Sequence, residues 1–213
     1  MVETAVTLKE KAYIHLRKLI LEGTLQPGEV LTERMLVERL NMSRTPIRAA
    51  LERLDVEGLA KYTPNKGLVV TELSVNKAID LYDYRMAMEC FVVSKLAQRA
   101  WGEGDRSWFE GNLKRQLACA EADDHAGFTE ADAEFHRKLA EIYGNSEILH
   151  AMEQLQDKLY QVALTVLRKE RARIKVSYED HWRIYEAIQA HRGAEAAMLM
   201  ERHLEFGKRI LVF

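Results

Sequence analysis

The chain has 213 residues, enough for one large domain or two smaller ones with cores of their own, which excludes a disulfide-dependent mini-protein. Its 31 Lys and Arg stand against 33 Asp and Glu, a formal net charge of −2, so attraction to nucleic acid has to come from a local patch and a generic polycation is excluded. With 47% hydrophobic and 30% charged residues the composition is that of a globular chain, and it holds no run of about 18 apolar residues with which to span a membrane.

Only Cys90 and Cys119 are present; both are flanked by helix-forming residues and read as small hydrophobes in a reducing compartment. The opening MVETAVTLKEKAY has neither the basic start nor the apolar stretch of a secretory signal, so the mature chain is expected to begin near here and to be cytoplasmic. All three prolines, Pro27, Pro46 and Pro64, fall early in the chain, which predicts two domains, 1–73 and 74–213, the second without a helix breaker. The first 72 residues carry eleven basic against ten acidic groups and the rest 20 against 23, a mild polarity in the direction expected of a nucleic-acid-binding head.

In the first domain Leu8, Ala12, Leu16, Leu19 and Ile20 recur at helical spacing, and GTLQPGE closes that helix. Thr32 is placed to cap a second helix with the apolar stripe Met35, Leu36 and Leu40, ending at Asn41, a residue that tolerates the left-handed conformation. Ser43 is expected to cap a third helix, with Pro46 in its first turn, Ile47, Ala50, Leu51 and Leu54 on its buried face and Gly58 as its stop. LAKYT and LVVTEL around a PNKG reversal then read as a β-hairpin. That order predicts a winged helix-turn-helix, whose third helix enters the major groove. Arg44 and Arg48 share one face of this helix near its N-terminus, with Thr45 beside them. Arginine there is able to read guanine or clamp a phosphate, although a solvated arginine face has the same spacing.

The string PGEVLTERMLVERLNMSRTPIRAALERLDVEGL, above all its SRTPxRxAL segment, resembles the DNA-binding head of the GntR family of bacterial transcription regulators, over residues 8 to 72. Asn41 stands where the family often has Gly, and Val37 where it often has a smaller residue. The resemblance implies contacts to double-stranded operator DNA from Arg34, from Ser43, Arg44, Thr45 and Arg48, and from Lys66 and Gly67 at the wing. For Arg34, an i,i+4 ion pair with Glu38 is the plainer alternative.

From Ser74 the pattern is helical throughout, with breaks that divide it into about six helices, roughly 74–101, 105–123, 126–143, 145–172, 175–191 and 193–211, an antiparallel all-helical bundle in a mainly α protein. Asp132 and His136 are four apart, His181 follows 45 residues later and His203 another 22 later. Three imidazoles and a carboxylate from neighbouring helices are able to hold one ion, but spacing alone favours satisfied core or surface histidines over a metal. His15, His125, His150 and His191 read as surface or structural groups, and Trp101, Trp108 and Trp182 as core anchors.

Residues 74 to 211 resemble the FCD-type effector domain of the FadR subfamily, in which many members hold a metal. The resemblance places metal ligands on Asp132 and His136 in DAEFH, His181 in YEDHWRIYEAI and His203 in MERHL. It also implies a homodimer, and the six-helix count points to the VanR group. LYDYRMAMECFVVSKLA resembles the family's R-x-x-x-E element, placing Arg85 and Glu89 one turn apart. Arg85 is the candidate anchor for a small carboxylic acid effector, with Glu89 as its partner or orienter, and Asn145 is either a cap or an effector contact. Zinc heads the divalent metals such a set suits, ahead of Ni, Mn or Fe. The expected function is an effector-responsive regulator, repression being the commoner mode in the family. The alternatives are a metal-dependent hydrolase, for which Glu134 lies next to the ligands but two residues from Asp132 on a different face, and a metal-stabilised DNA-binding protein without an effector.

Overall fold

The computed structural model describes residues 7–212, so the expectation about a leader, which rests partly on Met1 to Val6, lies outside the described residues. The chain divides into two compact units at Leu73 and Ser74.

The N-terminal unit holds α1 (Leu8–Leu21), β1 (Val30–Leu31), α2 (Glu33–Leu40), α3 (Arg44–Glu57), β2 (Ala60–Thr63) and β3 (Gly67–Val70). Thr7 caps α1 by accepting the amide of Glu10, and Thr32 caps α2 by accepting that of Met35. Asn41 (φ 49) and Gly58 (φ 77) end α2 and α3 in the left-handed conformation, which an asparagine tolerates and a glycine adopts without steric cost. Ala12, Leu16 and Ile20 of α1 bury against Ile47, Ala50, Leu51 and Leu54 of α3.

Three local expectations are corrected, and a fourth, the hairpin, forms as expected with one strand added. Leu8 is exposed at the start of α1. Ser43 occupies the cap position of α3, but its hydroxyl makes no cap bond. Of the stripe on α2 only Leu36 is buried, because one short helix presents one side chain fully to α3. The hairpin is a three-stranded antiparallel sheet in the order β1-β3-β2, with Val30 opposite Val69 and Leu31 opposite Leu68. A two-residue strand has too short a pattern to be read as alternation.

The second unit consists of α4 (Val75–Leu96), α5 (Glu103–Glu121), α6 (His125–Tyr143), α7 (Ser146–Lys169), α8 (Arg173–Gln189) and α9 (Gly193–Val212), the six helices expected. Ser74, Asp124 and Asn145 cap α4, α6 and α7 through side-chain oxygens. α4 packs along α9, α5 joins α6 and α8, and α6 joins α7. Phe109, Phe128 and Phe135 are fully buried among these helices, with Phe109 edge-on to Phe135 at 5.2 Å. Trp101 belongs to this core, whereas Trp182 is 38% exposed and is no core anchor.

Candidate metal centre and nucleic-acid interface

In the second unit Asp132, His136, His181 and His203, from α6, α8 and α9, are all buried and offer ligand atoms within 4.8 Å of one another. His181 Nε2 lies 3.2 Å from His136 Nε2 and 3.2 Å from His203 Nε2. Asp132 Oδ1 is 3.5 Å from His181 Nε2 and 3.8 Å from His136 Nε2. The ring of Phe135 stacks on His181 at 4.5 Å, walling one side with hydrocarbon.

The other ring nitrogens decide what the inward ones present. His136 Nδ1 is bonded to the Glu89 carboxylate, which accepts a proton and has none to give, so Nδ1 carries the hydrogen. For His181 the donor is fixed by a chain of amides. The Ala131 carbonyl only accepts, so Asn112 donates to it through Nδ2 (3.0 Å) and accepts from Gln116 Nε2 (2.7 Å), which turns Gln116 Oε1 toward His181 Nδ1 (2.7 Å). At His203, Arg173 Nη2 has two hydrogens and two oxygen partners, Asp180 Oδ2 at 3.0 Å and the His203 carbonyl at 3.1 Å. His203 Nδ1 lies 3.1 Å from the same Arg173 Nη2 and 3.3 Å from Asp180 Oδ2, and the tautomer that donates to this carboxylate is the one that leaves Nε2 free. Each neutral imidazole thus turns an unprotonated Nε2 inward.

Burial disfavours the charged form of His181 and His203. It holds His181 well below the usual histidine range, helped by the neighbouring His203 and His136, and lowers His203 to about 4 against the opposing bond to Asp180. Burial opposes ionisation of Glu89 and Asp180. Arg85 and His136 nevertheless hold Glu89 down at about 2, and His203 and Arg173 hold Asp180 below the carboxylate range.

In this tautomer three nitrogen lone pairs and a carboxylate oxygen face one another, a donor set that suits a cation. Nitrogens bound to one zinc at about 2.0–2.1 Å stand about 3–3.5 Å apart, the range of the two His181 nitrogen–nitrogen distances, 3.2 Å each. The residues fit a divalent ion, and nitrogen with oxygen donors does not select among the transition metals.

Two cavities meet at this cluster. One, of about 110 Å³, lies between α6 and α7 and is lined by Arg85, Asp132 and His136 together with Gln156 and Tyr160. The other, of about 30 Å³, is lined by Tyr82, Arg85, Asp132, Arg173, Ser177 and His203. Arg85 belongs to both. Its Nε is 2.6 Å from Glu89 Oε1, and its terminal nitrogens have no protein hydrogen-bond partner. The i,i+4 ion pair is thus present, and Glu89 lines neither cavity: it is spent between Arg85 and His136. Asn145 is also outside both cavities, its Oδ1 accepting from the amides of Glu147 and Ile148. Glu134 at the rim pairs with Arg115 at 2.7 Å.

Gln116, Arg173 and Asp180, which orient two of the ligands, have no signature in the sequence. Asp180 adjoins His181, but its partner is the histidine of another helix.

In the first unit Ser43, Arg44, Thr45 and Arg48 are exposed along the start of α3. Arg44, Thr45 and Arg48 line a groove with Lys9, Ala49 and Glu52. Arg48 is held by Glu33 through two hydrogen bonds, Nε to Oε1 at 2.8 Å and Nη2 to Oε2 at 3.2 Å, whereas Arg44 has no hydrogen-bond partner. Arg34 makes the plain pair with Glu38 at 3.3 Å. At the wing tip Asn65 (φ 64) and Gly67 (φ 90) reverse the chain beside exposed Lys66.

Comparison with known proteins agrees with both units. The model of the bacterial regulatory proteins of the gntR family matches residues 8–70, and that of the FCD domain matches residues 80–206. The chain is 30% identical over 181 residues to the Nta operon transcriptional regulator of Aminobacter aminovorans, covering 84% of this chain and 83% of that protein. It is 31% identical over 171 residues to the Gluconate operon transcriptional repressor of Bacillus licheniformis, covering 79% and 68%. A GntR regulator from Rhodococcus sp. RHA1 has the same fold, with a TM-score of 0.81 at 23% identity over 96% of this chain and 97% of that one. These relatives are transcriptional regulators, not enzymes, and among the described residues no helix is long and apolar enough to cross a membrane.

Proposed function

Because the chain belongs to the GntR family of bacterial regulatory proteins and carries an FCD domain, we propose that it is an acid-responsive, metal-dependent repressor of the FadR subfamily, VanR group. It acts in the cytoplasm as a homodimer. Residues 1–73 bind double-stranded operator DNA, and residues 74–213 dimerise and bind the effector.

The observation that carries this reading is Arg85. Its guanidinium is buried, tethered at Nε by Glu89 and unpaired at its two terminal nitrogens, and it walls both cavities beside the four-ligand cluster. A planar fork held this way is preorganised for a carboxylate. The divalent ion, zinc before nickel, manganese or iron, supplies a Lewis-acid site for ligand oxygens. Asp132, His136, His181 and His203 hold it, while Glu89, Gln116 and Asp180 keep the three imidazoles in the ligating tautomer.

On the DNA side Arg44 and Thr45 meet base edges, Ser43, Arg48, Lys66 and Gly67 meet the backbone, and Arg34 contributes through the face it shares with Glu38. Regulation requires the effector to distinguish two arrangements of the dimer, with a coupling of about 1–3 kcal/mol.

The test is thermal unfolding of the metal-loaded protein against a panel of small carboxylic acids. An acid at a hundred times its dissociation constant adds about 2.7 kcal/mol of stability, and the shift disappears in Arg85→Ala and His136→Ala. Loss of the ion is expected to abolish the response while the helices persist. A panel without any response overturns the effector, and collapse of the fold on chelation makes the ion purely structural.

A further inference from the structure

The smaller cavity holds polar groups that the metal cluster and Arg85 leave unexplained. Tyr82 is 4% exposed and Ser177 5%, and both line this cavity beside His203. Neither Tyr82 Oη nor Ser177 Oγ has a protein hydrogen-bond partner. A phenol and an alcohol that line one small cavity without protein partners are available to a polar group placed in it. Burial pushes the Tyr82 phenol up to about 12, so it keeps its proton and remains a donor. The volume, about 30 Å³, admits one or two groups the size of water.

The charges of the site narrow the ligand further. Arg85 is paired with Glu89 at 2.6 Å and Arg173 with Asp180 at 3.0 Å, which leaves Asp132, among the buried carboxylates of the described residues, without an ion pair to a guanidinium. A divalent ion on Asp132 and three neutral imidazoles carries one uncompensated positive charge, matched by a single carboxylate. A second carboxylate would meet no unpaired cation: at the rim of the larger cavity Arg137 is engaged with Glu141 at 3.3 Å, and Glu134 adds a negative charge. The larger cavity, about 110 Å³, is below the roughly 150 Å³ that holds benzene.

We propose that Tyr82 and Ser177 read a hydroxyl group, so that the effector is a compact acid with one carboxylate and at least one hydroxyl. This rests on the ion-and-acid site proposed above. The carboxylate lies with Arg85, and the hydroxyl enters the chamber between Tyr82 and His203, where it accepts from the phenol and donates to Ser177. Both residues determine specificity, and neither is a metal ligand.

The experiment is isothermal titration of the zinc-loaded full-length protein with 2-hydroxypropanoate, propanoate and butanedioate, for the wild type, Tyr82→Phe and Ser177→Ala. The hydroxy acid is expected to bind at least about tenfold more tightly than propanoate, and butanedioate more weakly than the hydroxy acid. A Lewis acid by itself also favours hydroxy acids, so the deciding quantity is the hydroxy-to-deoxy ratio in the variants. It falls by about threefold or more in Tyr82→Phe and drops in Ser177→Ala, with the melting temperature of the ligand-free protein within a few degrees of wild type. A ratio unchanged in both variants, or butanedioate binding as tightly as the hydroxy acid, overturns the proposal and leaves the acid site standing. Absence of heat from all three acids overturns both.

Discussion

The hydroxyl end of the Tyr82 ring on α4 packs against α9 at Gly207. A methyl group built on that glycine would come within 2.5 Å of Tyr82 Oη and within 3.0 and 3.2 Å of two ring carbons. The contact lets α4 and α9 approach closely and sets the phenol at the edge of the smaller cavity, which both residues line. Gly207→Ala is therefore expected to destabilise the second unit by about 1–3 kcal/mol, since the added methyl forces the buried ring or one of the two helices to shift. Chemical denaturation checks this, and an alanine variant as stable as wild type would show that the helices separate freely.

The same burial dictates how Tyr82 titrates. Its phenol is raised from 10 to about 12, chiefly by burial and against the pull of Arg85. A folded-state value above the unfolded one means that the contribution is intact below pH 10 and disappears as the pH rises from 10 to about 12, an effect on the order of 2 kcal/mol. Ultraviolet titration of tyrosinate, wild type minus Tyr82→Phe, is expected to place this group near 12 rather than 10. Ionisation of Tyr82 near pH 10 would mean that the phenol is solvated.

Local features were legible in the sequence where a residue acts on its own helix. Asn41 and Gly58 end α2 and α3 with positive φ, and the i,i+4 spacing of Asp132 and His136 already placed both on one face of α6. Contacts between helices carry no such period. Gln116 reaches a histidine 65 residues away and Arg173 one 30 residues away, and nothing in the pattern around either separates them from ordinary helix-surface residues. Tyr82 was hidden for a different reason: at helical spacing an aromatic residue reads as core, and only the missing partner of its hydroxyl sets it apart. Asn145 shows the converse, since a side chain suited to both capping and ligand contact was settled by its two amide partners.

Gln116 is the residue through which the tautomer of His181 is fixed, because Asn112 and the Ala131 carbonyl leave its amide one orientation. Gln116→Leu keeps approximate volume and removes the acceptor, freeing His181 to place its proton on Nε2, inside the ligand set. Metal affinity is expected to fall about 10- to 100-fold with helix content unchanged, as measured by competition with a chromophoric chelator alongside circular dichroism. An affinity equal to wild type would mean that the ion selects the tautomer without help.

On the recognition helix the two arginines differ in their freedom. Arg44 is exposed and without a hydrogen-bond partner, so Arg44→Ala is expected to weaken operator binding by roughly 1–3 kcal/mol and to relax preference at one base position. Arg48 enters DNA already engaged by Glu33, whose carboxyl it holds below the usual range through that hydrogen bond. The same carboxylate would stand beside the phosphates. Glu33→Gln removes that charge and releases the Arg48 fork, so binding is expected to tighten and the salt dependence of the association constant to steepen by about one in the log–log slope. Titrations at several salt concentrations separate the two arginines: a base reader changes affinity for the operator over random DNA at fixed slope, and a phosphate clamp changes the slope. If Glu33→Gln leaves both quantities unchanged, Arg48 stays bound to α2 in the complex and Arg44 alone reads from this face.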